Sequence, residues 1–136
     1  MENFNSAVMG VQVAEMFYTS NKQTVIQKLK EVEERGNKAD LGDLMSLSLF
    51  TNLAISTGED LRRDLIKALR AYYDLNFFRR MNLWGSDRKL RNAIKILEAE
   101  ISKFKSIREI VDKGEKEIIS KGVKQYFDNI FQESAI

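Results

Sequence analysis

Three features of the sequence predict an all-α fold, a single-domain bundle of about five helices with long antiparallel members. There is no proline in the 136 residues, and turn-rich or strand-rich folds ordinarily use some, whereas uninterrupted helices exclude it. Apolar residues recur at three- and four-residue spacing over most of the chain, which is the period of a helix with one buried face. Only Met9, Val11 and Val13 alternate as a strand would, and no second strand candidate exists for them to pair with. Length and composition bound the answer in the same way. With 43% apolar and 31% charged residues, the chain is apolar enough for a core and is read as one domain over residues 1–136.

The elements follow in order. Residues 4–18 carry one charge, Glu15, and place Met9, Val13, Met16 and Phe17 at helical spacing, which predicts a buried helix. Ser20 with Gln23 has the form of a capping box, so a second helix is expected from Ser20 to Gly36. Its stripe is Val25, Ile26, Leu29 and Val32, with Glu31 placed to pair with Arg35 at i+4. Asn37–Asp40 is a polar connector. From Leu44 to Ile55 there is no charge on any face, the pattern of a central core helix ended by Gly58. The next helix opens at Glu59 with Leu61, Leu65, Ala68, Leu69, Tyr72 and Leu75 as its stripe, and frays near Met81 before the turn residues Asn82, Gly85 and Ser86. Ser86 is placed to cap the last long helix, whose seam is Leu90, Ile94, Leu97, Ile101 and Phe104, then Ile107 and Val111. A break is expected around Gly114, followed by an amphipathic helix through Ile119, Val123, Tyr126, Phe127, Ile130 and Phe131.

The residue inventory excludes most chemistry. Without cysteine there is no disulfide, no thiolate nucleophile and no sulfur-ligated metal. Without histidine the usual general base and the commonest metal ligand are missing. The glycines are scattered rather than gathered in a phosphate-binding loop. Asp40 with Asp43, and Glu98 with Glu100, come nearest to paired carboxylates, but the second pair is two apart on a helix and so points to different faces. The chain is therefore read as a non-enzyme with no cofactor and no metal. No apolar run is long enough to span a bilayer, and a cytoplasmic protein is expected.

One stretch does speak of function. Leu61–Lys95 holds ten of the 22 Lys and Arg residues: Arg62, Arg63, Lys67, Arg70, Arg79, Arg80, Arg88, Lys89, Arg91 and Lys95. Only Asp64, Asp74 and Asp87 oppose them, so the segment carries +7 in a chain whose net charge is +2. Seven of the ten are Arg, the cation suited to bidentate phosphate contact. Tyr72, Tyr73, Phe77, Phe78 and Trp84 are interleaved with them, as a protein that grips a phosphate backbone or an unstacked base requires. Arg63, Lys67 and Arg70 on one helix, and Arg88, Arg91 and Lys95 on the next, are spaced to form two rows that a turn at Asn82–Ser86 would bring to a common face. Trp84 sits in that turn, either as a stacking platform or as the residue that closes the bundle end.

In length, helix pattern and the basic strip Arg63, Lys67, Arg70, Arg88, Arg91 and Lys95, the chain resembles the small all-helical subunits of CRISPR interference complexes. The resemblance covers the whole chain without a compact motif. It implies a non-catalytic scaffold subunit that supports a DNA strand beside a guide-RNA-bound backbone, with protein neighbours and further copies of itself. The expected function is sequence-independent binding of single-stranded DNA or RNA through phosphates. The rival reading is a helical adaptor or inhibitor that applies the same strip to an acidic protein surface.

Overall fold

The structure is a computed structural model that describes residues 2–35 and 41–121, with side chains placed for residues 3–35 and 41–113. Among the described residues there are four helices and no strand: α1 (Glu2–Arg35), α2 (Leu41–Tyr73), the short α3 (Phe77–Asn82) and α4 (Ser86–Lys121). The expected Asn37–Asp40 connector and the C-terminal stripe from Val123 to Phe131 lie outside the described residues.

The all-α class agrees with the sequence, but the helices are fewer and longer. The capping box does not form: Ser20 is inside α1, and its carbonyl accepts a hydrogen bond from Thr24 Oγ1 at 3.0 Å. Gly58 does not end a helix either, because α2 runs through it. Nor does Gly114 interrupt α4. Each of these local signals is worth about 1 kcal/mol, and a long helix clamped by tertiary contacts overrides them. The unpredicted break lies at Asp74–Asn76. There Asn76 caps α3 by accepting the Arg79 N–H at 2.9 Å, and buried Leu75 anchors the turn.

The three long helices run up, down and up, with α2 between α1 and α4. Phe4 packs on Tyr72 at one end of the α1–α2 pair, and Arg35 pairs with Asp43 at the other. Along α4, Tyr73 meets Arg91, Arg62 meets Glu98 at 3.0 Å and Glu59 meets Lys105 at 3.2 Å, so α2 and α4 are also antiparallel. Leu44, Leu47, Ala54, Leu61 and Leu65 of α2 bury against Val25 and Val32 of α1 and against Leu97, Ile101, Phe104 and Val111 of α4. Thr51, the polar residue buried in the core of the described residues, is satisfied by donating to the Leu47 carbonyl at 2.6 Å. Glu31 pairs with Lys28 rather than Arg35.

Gly58 lets three helices meet. A Cβ built there would stand 3.0 Å from Ile101 Cγ1 on α4 and 3.1 Å from Tyr18 Cε1 on α1. Tyr18 in turn donates to Glu100 Oε1 at 3.1 Å and packs edge-on against Phe104 with ring centroids 6.3 Å apart. Lys22 forms an ion pair with the same Glu100 oxygen. Thus Glu98 and Glu100 do face different neighbours, one reaching α2 and the other α1. Burial, then the Glu100 charge, then the hydrogen bond to it raise the pKa of the Tyr18 phenol well above its ordinary 10.0.

The apolar surface is less fully covered than the sequence suggests. Phe4 and Tyr18 are buried, but Met9, Val13, Met16 and Phe17 are exposed. So are Met45, Leu49 and Leu53 of the uncharged stretch of α2. A helix that is apolar all round has a face left over when only two neighbours pack on it.

Two outcomes follow from this packing. Gly58→Ala gains about 0.5–1 kcal/mol of helix propensity but over-packs the junction at a cost of about 1–3 kcal/mol, so urea melts should show net destabilisation and Gly58→Leu a larger loss. Gly10, where an added Cβ would meet nothing within 4 Å, should give the opposite sign on Gly10→Ala, a gain of about 0.5–1 kcal/mol. The second outcome concerns pH. The folded state keeps the Tyr18 proton at pH values where the unfolded chain loses it, so this contribution is full below the ordinary phenol value and declines as pH rises above it. Tyr18→Phe should therefore lose less stability between neutral and strongly alkaline pH than the wild type, as read by denaturant midpoints.

Candidate nucleic-acid interface

The basic residues occupy the end of the bundle where α2 stops, α3 crosses and α4 begins. Their placement follows from the helical period: Arg63, Lys67 and Arg70 fall off the buried stripe Leu61, Leu65, Ala68 and Tyr72, and all three are exposed. They border grooves shared with α1. Arg63 lies beside Met9, Val13 and Phe17, while Lys67 and Arg70 lie beside Asn3, Ser6 and Ala7. The α4 row takes the other flank: Arg91 donates to the Tyr73 hydroxyl and stacks its guanidinium 5.5 Å from the ring centroid. Arg88, Lys89 and Lys95 are exposed on the same helix. The ridge of α2 thus runs between two rows of cations rather than one groove collecting both.

What distinguishes this end electrostatically is the lack of compensation. Of the ten cations between Leu61 and Lys95, Arg62 pairs with Glu98 and Arg63 with Asp60 at 3.3 Å. The other eight have no ion pair among the described residues. Elsewhere Lys22, Arg35 and Lys105 join helices, while Lys30, Lys103, Arg108 and Lys113 take no ion pair among the described residues. The difference is one of density: eight unpaired cations gathered in one stretch. Exposed ion pairs stabilise by only about 0–1 kcal/mol, so leaving cations unpaired costs the fold little and leaves a positive field outside it.

The aromatic residues are concentrated at the same corner. Phe77 and Phe78 of α3 are largely exposed, with ring centroids 5.9 Å apart, and Trp84 is 87% exposed. Trp84 therefore does not close the bundle end. Phe4, Tyr72 and Leu75 do that, with Val8, Leu83 and Leu90 packed around them. Gly85 explains the position of the indole: its φ of +85° lies in the left-handed region, and the reversal leaves the preceding side chain outside. The continuous helix read from Glu59 to Met81 concealed this platform, because the break depends on a side-chain cap at Asn76. The signal that could have found it was Asn76 itself, a residue type strongly preferred at a helix N-cap.

No group of His, Cys, Asp or Glu that could hold a metal ion occurs among the described residues, and no described helix is long and apolar enough to cross a membrane.

Removing the cap should loosen the platform without unfolding the bundle. Asn76→Ala is expected to weaken α3 by about 1 kcal/mol. Hydrogen exchange at the Arg79 and Arg80 amides should become about fivefold faster, while core amides of α2 such as Leu65 keep their rates.

Comparison of the chain with protein-family models, with curated proteins and with solved structures found no match in any of the three.

Proposed function

We propose that this protein is a non-catalytic, sequence-independent nucleic-acid-binding subunit of a larger assembly, as its resemblance to the small helical subunits of CRISPR interference complexes implies. The observation that supports this reading is the corner formed by the end of α2, α3 and the start of α4. Eight cations there lack ion pairs among the described residues, and exposed aromatic rings stand among them. Phosphates supply the missing counter-charge without reading sequence. The assembly half of the reading is supported by the exposed apolar rows Met9, Val13, Phe17 and Met45, Leu49, Leu53, which a protein neighbour or a further copy would cover.

Salt dependence tests the proposal. Each phosphate contact contributes a log–log slope of about −0.7 on single strands and about −0.9 on duplex. Changing Arg63, Lys67 and Arg70 together to Ala should flatten the slope by about two to three units, equally for unrelated sequences. Thermal stability should move by no more than about 0.5 kcal/mol per site, since all three side chains are exposed. Unchanged binding by the triple variant would remove these residues from the interface. Failure of the wild type to bind DNA or RNA at low salt would overturn the proposal in favour of an acidic protein partner.

A further inference from the structure

The corner between α2, α3 and α4 contains a cleft as well as a charged surface. Its volume is about 280 Å³, just below the range of roughly 300–1,000 Å³ for small-molecule sites, so it has room for one planar ring system. Tyr73, Phe77, Met81 and Trp84 form its walls, and Arg80 and Asp87 supply its polar groups. Arg80 Nε is buried and has no hydrogen-bond partner among the described residues. That atom is closed to solvent, so the outer N–H groups of the same guanidinium, which take no hydrogen bond among the described residues, are the donors a molecule in the cleft would meet. The Asp87 carboxylate touches the Tyr73 hydroxyl at 3.5 Å, a long contact that leaves it acceptor capacity. An aromatic wall flanked by one spare donor and one spare acceptor is complementary to the face and edge of an unpaired nucleobase.

We infer that this cleft receives an unstacked base of a single strand, so that the protein prefers single strands, or strand ends, over continuous duplex. The inference rests on the nucleic-acid reading above and deepens it by naming the substrate class. In duplex both faces of each base are already stacked. In a single strand they are free, and stacking on an aromatic side chain tolerates every sequence. Exposed Arg79 and Arg88 adjoin the cleft residues Arg80 and Asp87 in sequence and carry no ion pair among the described residues, so the flanking phosphates have cations to meet. The same aromatics could also enter a lipid interface, but a cleft holding Arg80 and Asp87 would have to carry both charges towards the hydrocarbon. The observations therefore favour the base.

Trp84 is the only tryptophan in the chain, so its fluorescence reports on this site alone. Full-length protein is titrated at low salt with a short oligothymidylate, with a blunt duplex of equal length, and with vesicles of mixed phosphatidylserine and phosphatidylcholine. Oligothymidylate should quench Trp84 strongly and the duplex weakly. Trp84→Ala should weaken single-strand binding by about 5- to 150-fold, the equivalent of losing one base stack worth about 1–3 kcal/mol. It should leave the salt slope and the duplex affinity as they were, and Trp84→Phe should recover much of the loss. Because the indole is exposed, circular dichroism should show each variant folded. If oligothymidylate binds with the wild-type salt slope but neither Trp84 fluorescence nor Trp84→Ala responds, the cleft inference is overturned and phosphate binding stands. If no nucleic acid binds, both readings fall. A blue shift with vesicles and no response to oligothymidylate would overturn the base cleft and assign the corner to a membrane surface.

Discussion

The bundle depends on the absence of a side chain at Gly58. There Ile101 of α4 and Tyr18 of α1 close over α2 so tightly that an added Cβ would stand 3.0 Å from one and 3.1 Å from the other. That approach brings the Tyr18 hydroxyl and the Lys22 ammonium together on Glu100, which supplies the polar link between the two outer helices. A glycine in the middle of a helix costs up to about 1 kcal/mol in propensity, and here the cost is offset by the packing it permits. The remaining core extends from this junction in both directions. Leu61, Leu65 and Leu97 continue it towards α3, and Val25, Leu47, Leu44, Phe104 and Val111 continue it the other way.

Ion pairing divides the molecule into two unlike ends. Around and beyond the junction, cations join helices to one another through Glu59, Glu98, Glu100 and Asp43. At the α3 end cations are present in excess, and the carboxylates Asp74 and Asp87 take no ion pair among the described residues. The aromatic residues follow the same division. Tyr18 and Phe104 are buried at the junction, whereas Phe77, Phe78 and Trp84 are presented outward at the corner. Surface of this kind adds little to a monomer's stability, and the proposed nucleic-acid binding rests on it.

The short helix α3 turns this composition into a cleft. Had α2 continued through Asn76, the stripe that buries Tyr72 would have carried the cations onward along one ridge. The cap at Asn76 and the turn at Gly85 redirect the chain twice within ten residues, so that Tyr73, Phe77 and Trp84 converge on one cleft. The Tyr72 hydroxyl donates to the Arg80 carbonyl at 3.4 Å and ties the corner to the core.

By itself the sequence determined the all-helical class, the buried seam Leu97, Ile101, Phe104 and Val111, the stripe Leu61, Leu65, Ala68 and Tyr72, and the exposure of Arg63, Lys67 and Arg70. These are period-of-helix statements, and periodicity is local information. Tertiary structure alone decided where helices end. Ser20, Gly58 and Gly114 carry terminus signals that long-range packing overrode, while Asn76 made a cap that the stripe running through it concealed. It also decided which apolar face stays bare, since Met9, Val13 and Phe17 differ from Val25 and Val32 only in whether a neighbouring helix reaches them. Finally, it separated cations that join helices from cations that face solvent. Arg62 and Arg63 are adjacent in sequence, yet one crosses to Glu98 on α4 and the other borders a groove against α1, because successive residues on a helix point about 100° apart.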